Sequence, residues 1–572
     1  MRVSAAPAAA ARAASAVPPP TPAAAKLRVG VVLGGTRLRA WEASMLQRLR
    51  ESDYAALVTV LLPRQRDDGP DTPGLPESTR RAGRLLRRPL HAVALALESK
   101  IACDSDAFAW DDTGAALRGL ETTEADARNG RLELNAPDLR RAEALDLDVW
   151  VHLGGPYPGA AVQASARYGT WRLTHGGWPA HDPAAAGFWP VCLDATVIES
   201  ALVAETDGRS TIVATSASGT NRYSVKLNRS ALYWKTSSLL PRALAALHRR
   251  EPPAASSEHR EGEGARTEEA SRVPTVGQLA AHVARNVKRR ARDFLHRHFA
   301  LDRWILLVHP GEALCTAARE FTKLVPPKDR FWADPHVVRK GDRYYVFIEE
   351  LPFATGKGHI SVLVLDAEGV LQGDATTVLE RDYHLSYPCV FVHEGEYFMI
   401  PESSENRTID LYRCSAFPFE WQFEKTLLKD IDAVDTTVVE HGGLWWLFAG
   451  VRENKGASFC EELFVFHANS PLGPEWTPHA ANPVISDVRR ARPAGAMFRR
   501  GGKLYRPAQD CSVRYGYAVT LNEVTRLTPT TYEETPVAGI LPDWDRRIPA
   551  THTLAYTPGL TLIDALQPRL KL

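Results

Sequence analysis

Paired cysteines are missing from this chain. Its seven cysteines (Cys103, Cys192, Cys315, Cys389, Cys414, Cys460 and Cys511) form no Cys-x-x-Cys pair. Their odd number and scatter fit buried reduced thiols, so neither a disulfide framework nor a metal site is expected. A dominant charge is missing too: 69 Lys and Arg against 68 Asp and Glu leave +1. No chain-wide basic field draws nucleic acid, and none is expected as a partner. No apolar run reaches the roughly 18 residues of a membrane span. The first 26 residues are mostly Ala and Pro, and Arg12 and the prolines break any signal-peptide core. They read as a disordered tail on a cytoplasmic protein, with an organellar transit peptide as the alternative. The length, 572 residues, exceeds what one core supports and implies several domains.

What the chain does have is a fivefold repeat in its second half. The copies are WADPHVVRKGDRYYVFIE from Trp332, SYPCVFVHEGEYFMIPE from Ser386, VDTTVVEHGGLWWLFAG from Val434, PAGAMFRRGGKLYRPAQ from Pro493 and ATHTLAYTPGLTLID from Ala550. Each is an apolar run, a Gly-containing turn and a second apolar run. A period of about 50 residues is that of a β-propeller blade, and five copies predict five blades over 301–572. Superposed on Gly341, Gly395, Gly443, Gly502 and Gly559, the inner-strand starts fall at Asp334, Tyr387, Asp435, Ala494 and Thr551. The second strands of the first four copies end at Glu349, Glu402, Gly450 and Gln509. Carboxylates thus recur at equivalent ends, where inner strands converge on one channel mouth. Asp334, Asp435 and Glu402 are the expected catalytic groups there. Glu349, Tyr387, His384, Arg492, Arg506, Gln509 and Trp332 are the expected substrate contacts, the arginines and His384 for an anionic group. Trp332, Tyr387, Trp445 and Trp446 could stack on sugar rings or fill the core between blades, and each carboxylate could instead cap a turn.

Two resemblances follow from these residues. The Asp-Pro at Asp334 and the Val-Asp at Asp435 resemble the five-bladed glycosidases of glycoside hydrolase family 43. That resemblance implies a general base at Asp334 and a carboxylate at Asp435 that tunes the acid. The family's blade-four glutamate has no counterpart, since Arg492-Pro493-Ala494-Gly495 stands there. Hydrolysis needs a carboxylic acid as well as a base, so ordinary glycosidase action is in doubt here unless Glu402 or Glu349 supplies the proton from another blade. The segments FWADP, HLSYPCVF, MIPES, IDLYR, FPFEWQF, VDTTVV, WWLFAG, LYRPAQD and YEE are also similar to the N-terminal region of plant glucosamine inositolphosphorylceramide transferases and bacterial relatives. In the plant proteins a separate glycosyltransferase domain follows; this chain ends at Leu572, and no such domain is expected here.

Ahead of the repeats, Leu27–Leu33, the turn Gly34-Gly35-Thr36, a helical pattern through Trp41, Met45, Leu46 and Leu49, and Ala55–Leu62 read as strand, turn, helix, strand. This opens a Rossmann-like α/β domain over 27–245, with a polar insertion at about 64–145. The segments YGTWRLTHGG, GFWPV and ETDGRSTIV resemble folate-dependent formyltransferases. The resemblance implies 10-formyltetrahydrofolate as cofactor, Gly34, Gly35 and Thr36 as cofactor contacts, and a catalytic His175 oriented by Asp207. Leu173 stands where the family carries an asparagine donor. His175 could equally be a packed histidine.

A polar linker follows at 246–274, then a basic amphipathic helix at 275–300. Its one face carries Val276, Leu279, Val283, Val287, Ala291 and Phe294, the other Arg285, Lys288, Arg289, Arg290, Arg292 and Arg297. The expectation is a helix packed between domains with its basic face in solvent, membrane-surface contact through 283–297 being the alternative. The fold class is therefore multidomain α/β plus all-β, a formyltransferase-type domain followed by a five-bladed propeller. The expected function is a carbohydrate-active protein, transferase rather than hydrolase, acting on a glycan or amino sugar. The alternatives are a folate-dependent amino-sugar N-formyltransferase and a non-catalytic glycan-binding scaffold.

Overall fold

The computed structural model of the protein describes residues 25–64, 102–128, 130–176, 178–179, 183–250, 276–454 and 456–571. The expected tail, the linker from 251 on and the part of the insertion at 65–101 lie outside the described residues.

The front region is built on one mixed sheet, to which Trp178–Pro179 adds a short tenth strand beside Thr170–His175, and a separate short pair joins Leu38–Arg39 to Trp110–Asp111. The other nine strands of the sheet are β1 (Leu27–Val32), β2 (Ala55–Pro63), β3 (Glu121–Arg128), β4 (Arg131–Glu133), β5 (Val149–His152), β6 (Tyr157–Pro158), β7 (Thr170–His175), β8 (Val197–Thr206) and β9 (Arg209–Gly219), in the order β9-β8-β7-β5-β1-β2-β3-β4-β6. The centre, β2-β1-β5-β7, is parallel, and β8 and β9 close one side as an antiparallel hairpin. Strands covered on both faces read as unbroken apolar runs, and Val29, Val31 and Val149 are fully buried. Helix α1 (Ala40–Glu51) covers one face through Trp41, Met45, Leu46 and Leu49, which share one side at helical spacing. The expected insertion is partly sheet: β3 pairs with β2 and extends the parallel register, although its polar sequence reads as loop. Helices α2 (Val225–Thr236) and α3 (Leu239–His248) complete this region, and α4 (Val276–Phe299) leads out of it.

From Trp304 the chain forms five antiparallel sheets around a ring. The inner strands of the first three blades are Arg330–Lys340, Ser386–His393 and Ala433–His441. The last two have shorter ones, Phe498–Arg500 and Leu554–Thr557. All five turn glycines take positive φ, from 65° at Gly341 to 96° at Gly559, a region that only glycine enters freely. The fifth blade is composite: Trp304–Gly311 pairs with Gly559–Leu566, Trp304 opposite Leu566, so strands from both ends of the segment close the ring. Five apolar clusters fill the five seams between neighbouring blades; Phe347, Met399 and Trp421 belong to the first, Trp446, Phe448 and Leu463 to the third. Trp445 and Trp446 sit in these seams and do not face a sugar site.

Buried polar contacts bind the front region to the third blade. Arg242 on α3 forms two parallel bonds with Glu462, at 2.7 and 2.8 Å, and also meets Glu453. Lys235 on α2 reaches Glu461 at 3.2 Å, and Glu461 accepts from the Gly219 amide at 2.8 Å. Helix α4 is oriented opposite to expectation. Arg285 and Arg289 turn inward, onto the Cys192 carbonyl and Asp194, while Val283, Val287 and Phe294 are exposed. Specific partners for the polar side decide the orientation, and amphipathicity alone does not reveal them.

Candidate functional site

The first three inner strands carry the same bulge at the same place. In the first, pairing skips from Ala333 opposite Glu349 to His336 opposite Phe347; in the second, from Ser386 opposite Glu402 to Cys389 opposite Ile400; in the third, from Val434 opposite Gly450 to Thr437 opposite Phe448. The first bulged residue is left-handed each time: Asp334 (φ 51°), Tyr387 (φ 44°) and Asp435 (φ 51°). Such backbone costs about 1–3 kcal/mol and clusters where a side chain must be re-aimed. Here it turns Asp334 and Asp435 into the channel. In the fourth blade the left-handed residue is Gly495, one past Ala494.

The result is a cavity of about 260 Å³. Asp334, Glu349, Glu402 and Asp435 line it, with His384 and Arg492 between them and His552 beside Asp334. Trp304, Phe331, Leu351 and Tyr515 form its apolar wall. Another hollow, about 310 Å³, lies at the far end of the blades by the Gly502 turn and gathers no comparable set of acids.

Asp435 is the hub of one side. Arg492 grips it with Nε at 2.5 Å and Nη2 at 3.2 Å, and Gln509 donates to the same carboxylate at 2.7 Å. Burial pushes the Asp435 carboxyl up, to about 7; Arg492 pulls it back and Glu402 adds to the rise. Glu402 accepts from the Asp435 amide at 3.2 Å and from Ser404 at 3.0 Å. Arg492 also lies over the Tyr515 ring, 4.9 Å from its centroid.

The other side is a triad. His552 stands between Asp334 (Nε2 to Oδ1, 3.3 Å) and Asp564 (Nδ1 to Oδ2, 2.7 Å), the second an ion-pair approach and not an aligned hydrogen bond. Burial disfavours its charge, but the two carboxylates outweigh burial and lift His552 to about 9. Asp334 is itself pushed up to about 6, chiefly by burial. It accepts from Thr553 Oγ1 at 2.9 Å and the Tyr387 amide at 3.3 Å. Asp334, His552 and Asp564 offer atoms within 4.8 Å of one another, the spacing of a cation site. Protonated His552 already supplies the positive charge that these two carboxylates require. At the mouth, the Gly358 amide donates to His384 Nδ1 at 3.0 Å, which leaves the proton on Nε2, aimed at Glu349 3.1 Å away.

Of the positions singled out from sequence, Asp334, Asp435, Glu402, Glu349, His384 and Arg492 meet in this cavity. Others do not. Tyr387 is buried, its hydroxyl bonded to Thr437 at 2.8 Å and to the Gly495 amide at 2.5 Å, so it ties blades together and has no free group for a substrate. Gln509 is fully buried and holds Asp435 from behind. Arg506 lies outside the channel, clamped by both oxygens of Glu534 at 2.7 and 2.8 Å. Trp332 points into the blade seam and donates to Glu350 at 3.1 Å. Its neighbour Phe331 faces the cavity, the one-residue slip that alternation along a strand produces. His552, Asp564, Tyr515 and Trp304 escape the sequence reading. Asp564 was legible as the acid on the fifth repeat's second strand, and His552 as the residue after Thr551. Tyr515 and Trp304 come from a loop and from the closing strand, outside any repeat.

The front-sheet positions do not assemble. His175 is fully buried, with Nδ1 3.0 Å from Ser200 Oγ and its ring against Tyr233, and burial holds it down at about 3. Asp207 sits exposed at the β8–β9 turn (φ 52°). His175 pairs with Ser200 near the other end of β8, seven residues or roughly 23 Å away. Gly34, Gly35 and Thr36 lie exposed at the carboxyl end of β1. Gly34 packs backbone to backbone on Gly155, where a Cβ would come within 3.0 Å. With Leu173 buried in the asparagine position and no His–Asp pair, these residues do not fit 10-formyltetrahydrofolate chemistry.

Residues 314–547 match the protein family described as glucosamine inositolphosphorylceramide transferase 1, N-terminal. Relatives include glucosamine inositolphosphorylceramide transferase 1 of Oryza sativa subsp. japonica, 39% identical over 209 residues, 36% of this chain and 28% of the relative. The Arabidopsis thaliana protein of the same name is 36% identical over 209 residues, 36% of this chain and 27% of the relative. The chain thus spans under a third of the length of these relatives. Among solved structures, a thermostable family-43 glycoside hydrolase aligns at 13% identity over 36% of this chain and 78% of its own, TM-score 0.29. The catalytic domain of Coprinopsis cinerea GH62 α-L-arabinofuranosidase aligns at 13% identity over 46% and 97%, TM-score 0.31.

Proposed function

We propose that the propeller cavity binds an amino sugar and holds it for transfer, and that it does not hydrolyse a glycoside. One observation carries the reading: four carboxylates line the cavity against two cations, Arg492 and His552, and three of the four carboxyls are raised above their ordinary values by burial and each other's charge. An ammonium group entering there relieves that repulsion. The carboxylates accept from sugar hydroxyls, while Trp304, Phe331 and Tyr515 offer apolar faces to the ring. The matched relatives carry glucosamine in their name, which agrees with this choice of sugar.

Hydrolysis is the less fitting chemistry. The fourth blade supplies Ala494 at the position where family-43 glycosidases carry their acid, and Arg492 occupies Asp435 with two hydrogen bonds. Formyl transfer from 10-formyltetrahydrofolate is not favoured, because His175 and Asp207 stand apart.

Calorimetric titration with glucosamine, N-acetylglucosamine and glucose tests the reading. Glucosamine should bind at least about tenfold more tightly than either neutral sugar, a difference of roughly 1.4 kcal/mol. Its binding should strengthen as pH rises through 6 to 7, where Asp334 and Asp435 ionise. Equal affinity for the three sugars rejects the amino-sugar assignment. Steady turnover of aryl glycosides rejects the view that the site does not hydrolyse.

A further inference from the structure

Helix α4 is inverted relative to a packed amphipathic helix. Its polar side, with Arg285 and Arg289, turns inward onto Cys192, Asp194 and the Arg222 carbonyl. Its outward side exposes Val283 (53%), Val287 (61%), Phe294 (58%), Leu295 (55%) and Phe299 (58%). The stripe continues off the helix: Leu193, next to the Asp194 that anchors Arg289, is 61% exposed, and Leu570, paired with Ala300, is 69% exposed. At 100° per residue, Val283, Val287 and Phe294 fall within about 40° of each other. Leu295 and Phe299 lie about 80° and 120° further round than Val287. Arg290 and Arg297 border the resulting face at its Val283 edge and Arg292 at its Phe299 edge, with Lys288 between Leu295 and Phe299, and all four cations are exposed. The helix carries six Lys and Arg and a single carboxylate, Asp293.

We infer that α4 is a docking face for an anionic lipid bilayer. The occupant must be apolar at its centre and negative at both edges. A second copy of the chain brings the same four cations to the contact and is repelled. The linker at 251–274 is rich in Glu but has Val273 as its sole large aliphatic residue and no aromatic, so it cannot cover five large apolar side chains. A bilayer surface with anionic headgroups meets both requirements: a 24-residue helix, about 36 Å long, lies in the interface with its apolar face down and its basic edges among the headgroups. Arg289 bonds to the Arg222 carbonyl and Arg222 to the Val513 carbonyl, two residues from Tyr515 in the cavity wall. The docking face is thus tied through two hydrogen bonds to the loop that lines the sugar site, though the inference rests on the helix alone.

Co-sedimentation of the full chain with phosphatidylcholine vesicles, with and without phosphatidylglycerol, tests it. The chain should pellet with the anionic vesicles, less so as salt rises, and stay in solution with the neutral ones. Lys288→Glu with Arg292→Glu should lower the partition at least about tenfold, since each cation near an anionic surface contributes about 1 kcal/mol. Val287→Glu with Phe294→Glu should abolish it, with an unchanged melting temperature showing that these exposed positions leave the fold intact. Glucosamine affinity in solution should be the same in all variants, which separates this inference from the amino-sugar reading. Absence from anionic vesicles, equal pelleting of the variants, or a dimer that Phe294→Glu dissociates without any vesicle binding overturns it.

Discussion

Two histidines, one in each half, are equally hidden from water and opposite in character. His175 in the front sheet is 0% exposed and His552 in the propeller 2%. The first has a serine hydroxyl and a tyrosine ring for company, and burial holds it neutral, at about 3. The second stands between two carboxylates and is charged, at about 9. Burial is common to both, so burial does not make a site. Charges brought together from distant parts of the chain do. The propeller converges them because five inner strands meet; the front sheet keeps Asp207 at one end of a strand and His175 at the other.

The contrast can be broken where it is strongest. Asp435→Asn leaves the buried Arg492 guanidinium without its counter-charge and should cost about 3–5 kcal/mol in urea unfolding. A loss below about 1 kcal/mol would mean that the pair is not buried as described. His175 comes next. Its folded value lies below the unfolded one, so its stability is present above pH 6.5 and lost as pH falls toward 3. Over that window the loss is on the order of 4 kcal/mol, and His175→Gln should flatten the acid limb of a stability–pH curve. His552 is the mirror case. Its folded value is raised, so its contribution is full below pH 6.5 and lost as pH rises through 9. That loss is on the order of 3 kcal/mol, and His552→Gln should flatten the alkaline limb alone. If both variants bend the same limb, the distinction between the two histidines fails.

Smaller effects sharpen it. Glu402→Gln keeps an acceptor for the Asp435 amide but removes a charge from the cavity wall. It should weaken glucosamine binding about tenfold in calorimetry with little change in melting. Asp207→Asn, on an exposed turn, should stay within about 0.5 kcal/mol of the parent in stability and leave sugar binding unchanged.

Much of this was readable from residues. The turn glycines fixed five hairpins, because left-handed backbone leaves few alternatives to glycine, and the same alignment put Asp334 and Asp435 in one ring. The parallel centre of the front sheet was readable from its apolar runs. What escaped depends on partners across the fold. Nothing beside Arg506 in the sequence announces Glu534, and nothing beside Gln509 announces Asp435. Trp332 and Phe331 exchange roles through a strand register that composition cannot fix. In α4 the two faces were evident, but which face turned inward depended on Asp194 and the Cys192 carbonyl, more than 80 residues earlier.

Closure of the ring by Trp304–Gly311 against Gly559–Leu566 has an engineering consequence. Trp304 and His552, their ring centroids 4.2 Å apart, enter the cavity from opposite ends of the propeller segment. No shorter piece therefore contains the site: removing the last hairpin takes away His552's partner Asp564 and leaves a bare strand edge. Since Trp304 and Leu566 are paired neighbours, the two ends could be spliced by a short linker and the break moved to any exposed blade turn. A propeller permuted in this way should keep its sugar site, whereas one truncated by a single blade should not.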